Sequence, residues 1–144
     1  VTLCAAFELG RRAQIPAESR DAITSADQVA RMMIPMLRDL TYETCWVLFF
    51  DGGRKYLGKE QISSGGLNAT IVDVRMVLKK ALDKLSCELI LVHNHPSGNN
   101  KPGRQDRILT RTLKEAARMV DLHLIDHIVI GGNGYFSFAE EGIL

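Results

Sequence analysis

Leu89-Ile90-Leu91-Val92-His93-Asn94-His95-Pro96-Ser97-Gly98 is the stretch on which both fold and chemistry turn. Its first four residues form an apolar run that reads as a buried strand. Side chains alternate along a strand, so His93 and His95 project from one face while Asn94 points away. After a short polar loop, Asp106 returns a carboxylate toward the pair from the start of a predicted helix. Two imidazoles and a carboxylate make a three-ligand site for a divalent ion. Neutral imidazole with carboxylate suits zinc, and three protein ligands leave a fourth position for water, as catalysis needs and a closed structural site would not. A His-x-His pair alone is a weak sign of metal. Its place at a strand end, beside the Pro96-Ser97-Gly98 turn and upstream of Asp106, gives it weight.

Downstream, Gln105 to Val120 is predicted helical, with Ile108, Leu109, Leu113, Ala116, Ala117 and Val120 as its apolar stripe. Leu122 to Ile130 reads as a strand, turned by Gly131-Gly132-Asn133-Gly134 into a hairpin partner at Tyr135 to Phe138. That glycine-rich turn joins two strands rather than a strand and a helix, so it reads as a hairpin and not a phosphate loop. Upstream, Asp73 to Leu85 is a predicted helix with Val74, Val77, Leu78, Ala81 and Leu82 inward. Cys45 to Phe50 is a strongly apolar strand closed by Asp51-Gly52-Gly53, with Arg54 to Ser63 as its antiparallel partner and Ser64-Gly65-Gly66-Leu67 as a flexible break. Ser25-Ala26-Asp27-Gln28 fits a capping box for a helix over Ala26 to Leu40, which Pro35 must kink or restart. Met32, Met33, Met36 and Leu37 are its core contacts. Val1 to Gln14 reads as a further helix ending near Ile15-Pro16, followed by a polar linker over Ala17 to Thr24. This order implies an α/β protein, a mixed sheet flanked by helices rather than a regular parallel alternation. Residues 1–24 form an N-terminal helix and linker, and 25–144 the main domain.

The 144 residues suffice for one domain with a substantial core. With 46% hydrophobic and 24% charged residues the chain is globular rather than disordered. Lys plus Arg total 18 against 17 Asp plus Glu, which gives no electrostatic reason to expect nucleic-acid binding by the segment as a whole. No apolar run approaches the roughly 20 residues of a membrane span. Val1 to Leu9 contains Glu8 and no basic leader, unlike a signal peptide, and Val1 in place of methionine reads as the start of a fragment. Cys4, Cys45 and Cys87 are odd in number, widely spaced and set in apolar surroundings, so reduced, buried thiols in a cytoplasmic protein are expected. A thiol-protease reading of Cys87 is disfavoured, because Ser86-Cys87-Glu88 opens the strand whose far end carries His93.

His93-Asn94-His95-Pro96, with Asp106 ten residues after Pro96, resembles the JAMM (MPN-type) metalloprotease motif. That motif comprises an upstream Glu, a His-x-His-Pro, and then a Ser and an Asp at fixed spacing. The His-Asn-His-Pro-Ser-Gly variant, with Leu124-Ile125-Asp126-His127-Ile128-Val129-Ile130 and Tyr135-Phe136-Ser137-Phe138-Ala139-Glu140, is similar to the bacterial RadC family specifically. Glu8-Leu9-Gly10-Arg11-Arg12 resembles the segment joining that family's two parts, the first of which is usually a helix-hairpin-helix region. The resemblance implies a three-layer, cytidine-deaminase-like architecture over residues 25–144 and zinc ligands His93, His95 and Asp106. It also implies Glu43 as the upstream Glu, holding the attacking water, accepting its proton and passing it to the leaving amine. Where the motif has Ser this chain has Gly103, within Lys101-Pro102-Gly103-Arg104-Gln105-Asp106. Glycine at a helix N-cap costs only about a few tenths of a kcal/mol against Ser. Losing one oxyanion donor costs about 10²–10³ in rate. The departure therefore bears on turnover rather than on folding or metal binding, with Ser97 or Ser64 as the hydroxyls that could substitute.

Asp126 and His127 sit on opposite faces of a strand, so one could orient a ligand imidazole while the other meets solvent or a helix; a satisfied structural pair is the competing reading. His123 reads as a surface residue, and Arg75 either lines the cleft or belongs to a solvated helix face. Two functions remain in view. One is a zinc-dependent hydrolase acting on a peptide or isopeptide. The other is a catalytically silent metal-binding module in DNA repair or recombination, which Gly103 favours. Neither the His-x-Glu and Cys-x-x-Cys of a deaminase nor the extra carboxylates of a two-metal nuclease are present.

Overall fold

The computed structural model describes residues 3–13, 22–64 and 72–144. The expected helix end near Ile15-Pro16, most of the linker and the Gly65-Gly66-Leu67 break lie outside the described residues. The elements are α1 (Leu3–Ala13), α2 (Ala26–Leu37), β1 (Thr44–Phe50), β2 (Tyr56–Ser64), α3 (Val74–Asp83), β3 (Glu88–Asn94), α4 (Arg104–Arg118), β4 (His123–Gly131) and β5 (Gly134–Ser137). The five strands form one sheet in the order β2-β1-β3-β4-β5. Only β3 and β4 run parallel, joined through α4; the other three pairings are antiparallel. The chain is thus an α/β fold with a mixed sheet, as its element order implies. No helix among the described residues is long and apolar enough to cross a membrane.

Strand alternation divides the core into two layers. Leu48, Phe50, Ile90, Val92, Ile128 and Ile130 face α2, where Val29, Met33 and Leu37 meet them. Val47, Phe49, Leu89 and Leu91 face α3 and α4, against Val77, Ala81, Leu113 and Ala117. Because β3 is apolar on both faces and central in the sheet, its last residues are held on both sides, and His93 emerges from a rigid platform.

Several local expectations need adjustment. Ser25 does cap α2, accepting from Gln28 N, but the Gln28 side chain reaches back to Thr24 N rather than to Ser25. Pro35 neither restarts nor interrupts α2; it sits in the last turn, and the helix ends at Leu37 instead of Leu40. In α4 the buried face is Thr110, Leu113 and Ala117, while Ile108 and Val120 are 47% and 41% exposed. The helix is therefore turned so that a polar residue, Thr110, occupies the inward position. Cys4 and Cys87 are exposed and only Cys45 is buried. Cys87 lies one residue before β3 begins at Glu88, outside the covered strand.

One irregularity decides which β4 residues reach the α4 side. Leu89 pairs with Leu124 but Ile90 pairs with Asp126, so Ile125 is an extra, bulged residue. Leu124 belongs to the α3/α4 layer, whereas Ile128 and Ile130 belong to the α2 layer. Strict alternation from Leu124 would have pointed His127 away from α4. The bulge reverses the parity and turns His127 toward it.

Candidate metal centre

The C-terminal end of β3 and the first turn of α4 meet across the connection 95–103. Ligand atoms of His93, His95 and Asp106 all lie within 4.8 Å of one another. His93 Nε2 is 2.9 Å from His95 Nε2, and Asp106 Oδ1 and Oδ2 are 3.2 Å and 3.5 Å from those two nitrogens respectively. His93 is buried, and His95 and Asp106 are partly so. All three come from one strand–loop–helix segment. Asp106 is the third residue of α4, where its Oδ2 accepts the Gly103 N–H at 2.6 Å. That bond is one half of a capping box; the other half needs a hydroxyl that Gly103 lacks.

The donor chemistry fits a cation. His95 Nδ1 lies 2.8 Å from the carbonyl oxygen of Asn99, an acceptor only, so Nδ1 carries the hydrogen and the Nε2 lone pair faces the cluster. In the neutral imidazole that lone pair and two carboxylate oxygens converge with no donor among them. A proton or a metal ion must hold them together. Imidazole nitrogen and carboxylate oxygen are the donors zinc takes.

The pKa shifts report the same pressure. His95 is raised, first by its hydrogen bond to Asp106 against the opposing effect of burial, with Glu43 adding a smaller charge contribution. Burial alone would raise the Asp106 carboxyl; hydrogen bonds to His93 and His95, the charge of His93 and the Gly103 N–H outweigh it and hold the group far below the ordinary range. For the metal-free protein the sign follows from linkage. The raised imidazole stabilises the fold fully below its unfolded pKa of about 6.5, and that contribution fades as pH rises through the folded value. The depressed carboxyl contributes above its unfolded pKa of about 3.9, and that share is lost as pH falls through the folded value. Burial holds the His127 pKa well below its ordinary value, which opposes this trend below about pH 6.5, so the pairing is read by difference: metal-free Asp106→Asn should lose more in urea midpoint relative to wild type at about pH 5.5 than at about pH 8.5. A midpoint unchanged by Asp106→Asn at both pH values would dismiss the pairing as a source of stability.

Glu43 immediately precedes β1, partly buried. Cys45 pairs with His93 at the end of the β1–β3 ladder, and Glu43, two residues earlier, is near enough for its charge to act on His95. Asn94, which the sequence reading set aside as pointing away, holds this segment in place. Its Oδ1 accepts from Thr44 N and Thr44 Oγ1, both at 2.8 Å, and its Nδ2 donates to the Tyr42 carbonyl at 2.9 Å. The residue between the two histidines thus grips the backbone on either side of Glu43.

A sequence model described as "RadC-like JAB domain" matches residues 23–143. The chain belongs to this family. It is similar to UPF0758 proteins of Porphyromonas gingivalis (43% identity over all of this chain and 64% of the relative) and Flavobacterium johnsoniae (40%, over 99% of this chain and 63% of the relative). The UPF0758 protein of Desulforamulus reducens is 39% identical over the whole chain and 64% of its own length. The chain thus spans a little under two thirds of these relatives.

Several residues singled out in the sequence lie elsewhere in this RadC-like domain. Asp126 faces the opposite side from His127 and is structural, accepting from Ser137 Oγ, Ala139 N and His127 N. Arg75 pairs with Asp73, the cap of α3, and His123 is exposed. The Ser97 hydroxyl accepts from Asn99 N within the loop, and the Ser64 side chain lies outside what is described. Cys45 lies beside His93 in register; burial first, then the nearby Asp106 charge, push its thiol pKa up and keep it unreactive. Gly131 was read only as a turn residue. A Cβ there would come within 2.6 Å of Asn100 N and Gly98 O, backbone atoms of the loop whose Asn99 carbonyl orients His95. Gly131→Ala should cost about 1–3 kcal/mol of stability through overpacking and should weaken zinc binding, read by thermal unfolding and chelator competition. Wild-type behaviour in both would show that the loop moves freely.

Proposed function

We propose that this RadC-like domain is a zinc-dependent hydrolase of peptide or isopeptide bonds, acting in the cytoplasm. The observation that carries the reading is the convergence of His93 Nε2, His95 Nε2 and the Asp106 carboxylate, with Glu43 near enough for its charge to act on His95. Zinc, when bound, polarises a carbonyl and lowers the pKa of water toward ~7. Glu43 holds the attacking water, takes its proton and delivers it to the leaving amine. His93, His95 and Asp106 would hold the ion, and Asn94 ties down the backbone on either side of Glu43.

The full-length protein should carry about one zinc, as a three-ligand catalytic site does. It should cleave a fluorogenic peptide or a lysine-linked isopeptide substrate, with activity lost to 1,10-phenanthroline and restored by zinc. The second reading, a metal-binding module without turnover that serves DNA repair or recombination, draws on Gly103. Stoichiometric zinc with no cleavage of either substrate class would favour it.

A further inference from the structure

β4 places one side chain beneath the centre that the proposed reaction does not use. His127 is fully buried, with Nε2 2.8 Å from His93 Nδ1 and Nδ1 2.6 Å from Thr110 Oγ1. Thr110 Oγ1 is in turn 2.6 Å from the backbone carbonyl oxygen of Asp106, one helical turn earlier. Phe138 stacks nearly flat on the imidazole, 4.8 Å between ring centroids at 11°, and holds its plane.

These contacts have a direction. A carbonyl only accepts, so the single hydroxyl proton of Thr110 lies toward Asp106. Toward His127 the same oxygen can only accept, which puts the hydrogen of that imidazole on Nδ1. His127 Nε2 is then a lone pair, and it accepts from His93 Nδ1–H. His93 is left with its own lone pair on Nε2, the atom that faces His95 and Asp106.

We propose that Thr110 and His127 are positioning residues: a buried hydrogen-bond relay, anchored on the Asp106 carbonyl, that fixes His93 as the Nδ1–H tautomer and presents its Nε2 to a cation. His95 has its own anchor in the Asn99 carbonyl. Asp106 therefore acts twice, its side chain facing the ion site and its backbone setting the tautomer of a neighbouring imidazole through two intermediaries. An outer partner of this kind orients a ligand ring and raises its basicity. The opposite arrangement, with His127 donating to His93 Nδ1, would leave the 2.6 Å contact between Thr110 Oγ1 and the Asp106 oxygen without a proton.

The inference rests on His93 being a ligand through Nε2, part of the reading above, but its first test needs no metal. ¹⁵N-imidazole NMR of the full-length protein, stripped of metal and held where the imidazoles are neutral, should show His127 and His93 as Nδ1–H tautomers. An Nε2–H signal for either residue overturns the relay. Thr110→Val, which keeps the shape and loses the hydroxyl, should give mixed tautomers at both rings and weaken zinc binding about 10–100-fold in a chelator competition. Thr110→Ser should restore both. Unchanged tautomers and affinity in Thr110→Val would reduce Thr110 to a packing residue and overturn the proposal. Expected tautomers in a protein that binds no zinc would support the relay while removing the hydrolase reading.

Discussion

Glu43→Gln should leave zinc in place and slow bond cleavage by about 10²–10⁴-fold, the contribution of a positioned general base. The substitution keeps the shape and hydrogen-bonding reach of the side chain and removes only its ability to accept a proton. Glu43 stands outside the cluster of His93, His95 and Asp106, so the ion's three protein donors are untouched. Zinc content, kcat and kcat/KM measured together separate the outcomes. Equal losses in kcat and kcat/KM with full zinc identify an interaction made in the transition state. Undiminished cleavage would sink the assigned role. Asn94→Ala should move the same quantities in the same direction, since Thr44 N–H and the Tyr42 carbonyl lose their partner and the backbone around Glu43 loosens.

Gly103→Ser should act in the opposite sense, raising turnover by up to about 10²–10³-fold if the hydroxyl serves as the missing donor. The backbone accepts it without strain: Gly103 has φ −79° and ψ −178°, and a Cβ would rest 3.5 Å from Asp106 Oδ2, an ordinary contact. Serine at the N-cap also completes the capping box, adding only about a few tenths of a kcal/mol relative to glycine. A large rate change with an almost unchanged Tm would thus be chemical in origin. No change in rate would mean that the hydroxyl expected from the motif is dispensable here.

The ligand cluster was legible because it is local. Strand parity places His93 and His95 on one face, and the helix signal places Asp106 at a first turn; neither needs knowledge of distant contacts. Glu43 was reachable only through the family resemblance, since nothing in residues 41–45 announces that they return beside His95. The Asn94 clamp was hidden for the same reason: alternation correctly turns the side chain away from His93 and His95 but does not say which neighbouring segment it grips. His127 was a residue with two open readings. Its face depends on the bulge at Ile125, and an apolar-rich strand carries no sequence mark of a parity change. The α4 stripe was right at Leu113 and Ala117 and wrong at Ile108 and Val120; it omitted Thr110, which points inward to a polar partner on β4.

All three donors of the ion site fall within the fourteen residues from His93 to Asp106, whereas Glu43 and His127 arrive from distant positions in the chain. Closing so short a loop costs an unfolded chain little entropy. The unfolded ensemble therefore keeps a rudimentary chelating segment, and any zinc it takes subtracts from the stabilisation that zinc gives the native state. On the proposed reading, capture of the ion would be written into one loop. Reactivity would wait for the sheet, so a newly made or partly unfolded copy would hold zinc without being a hydrolase.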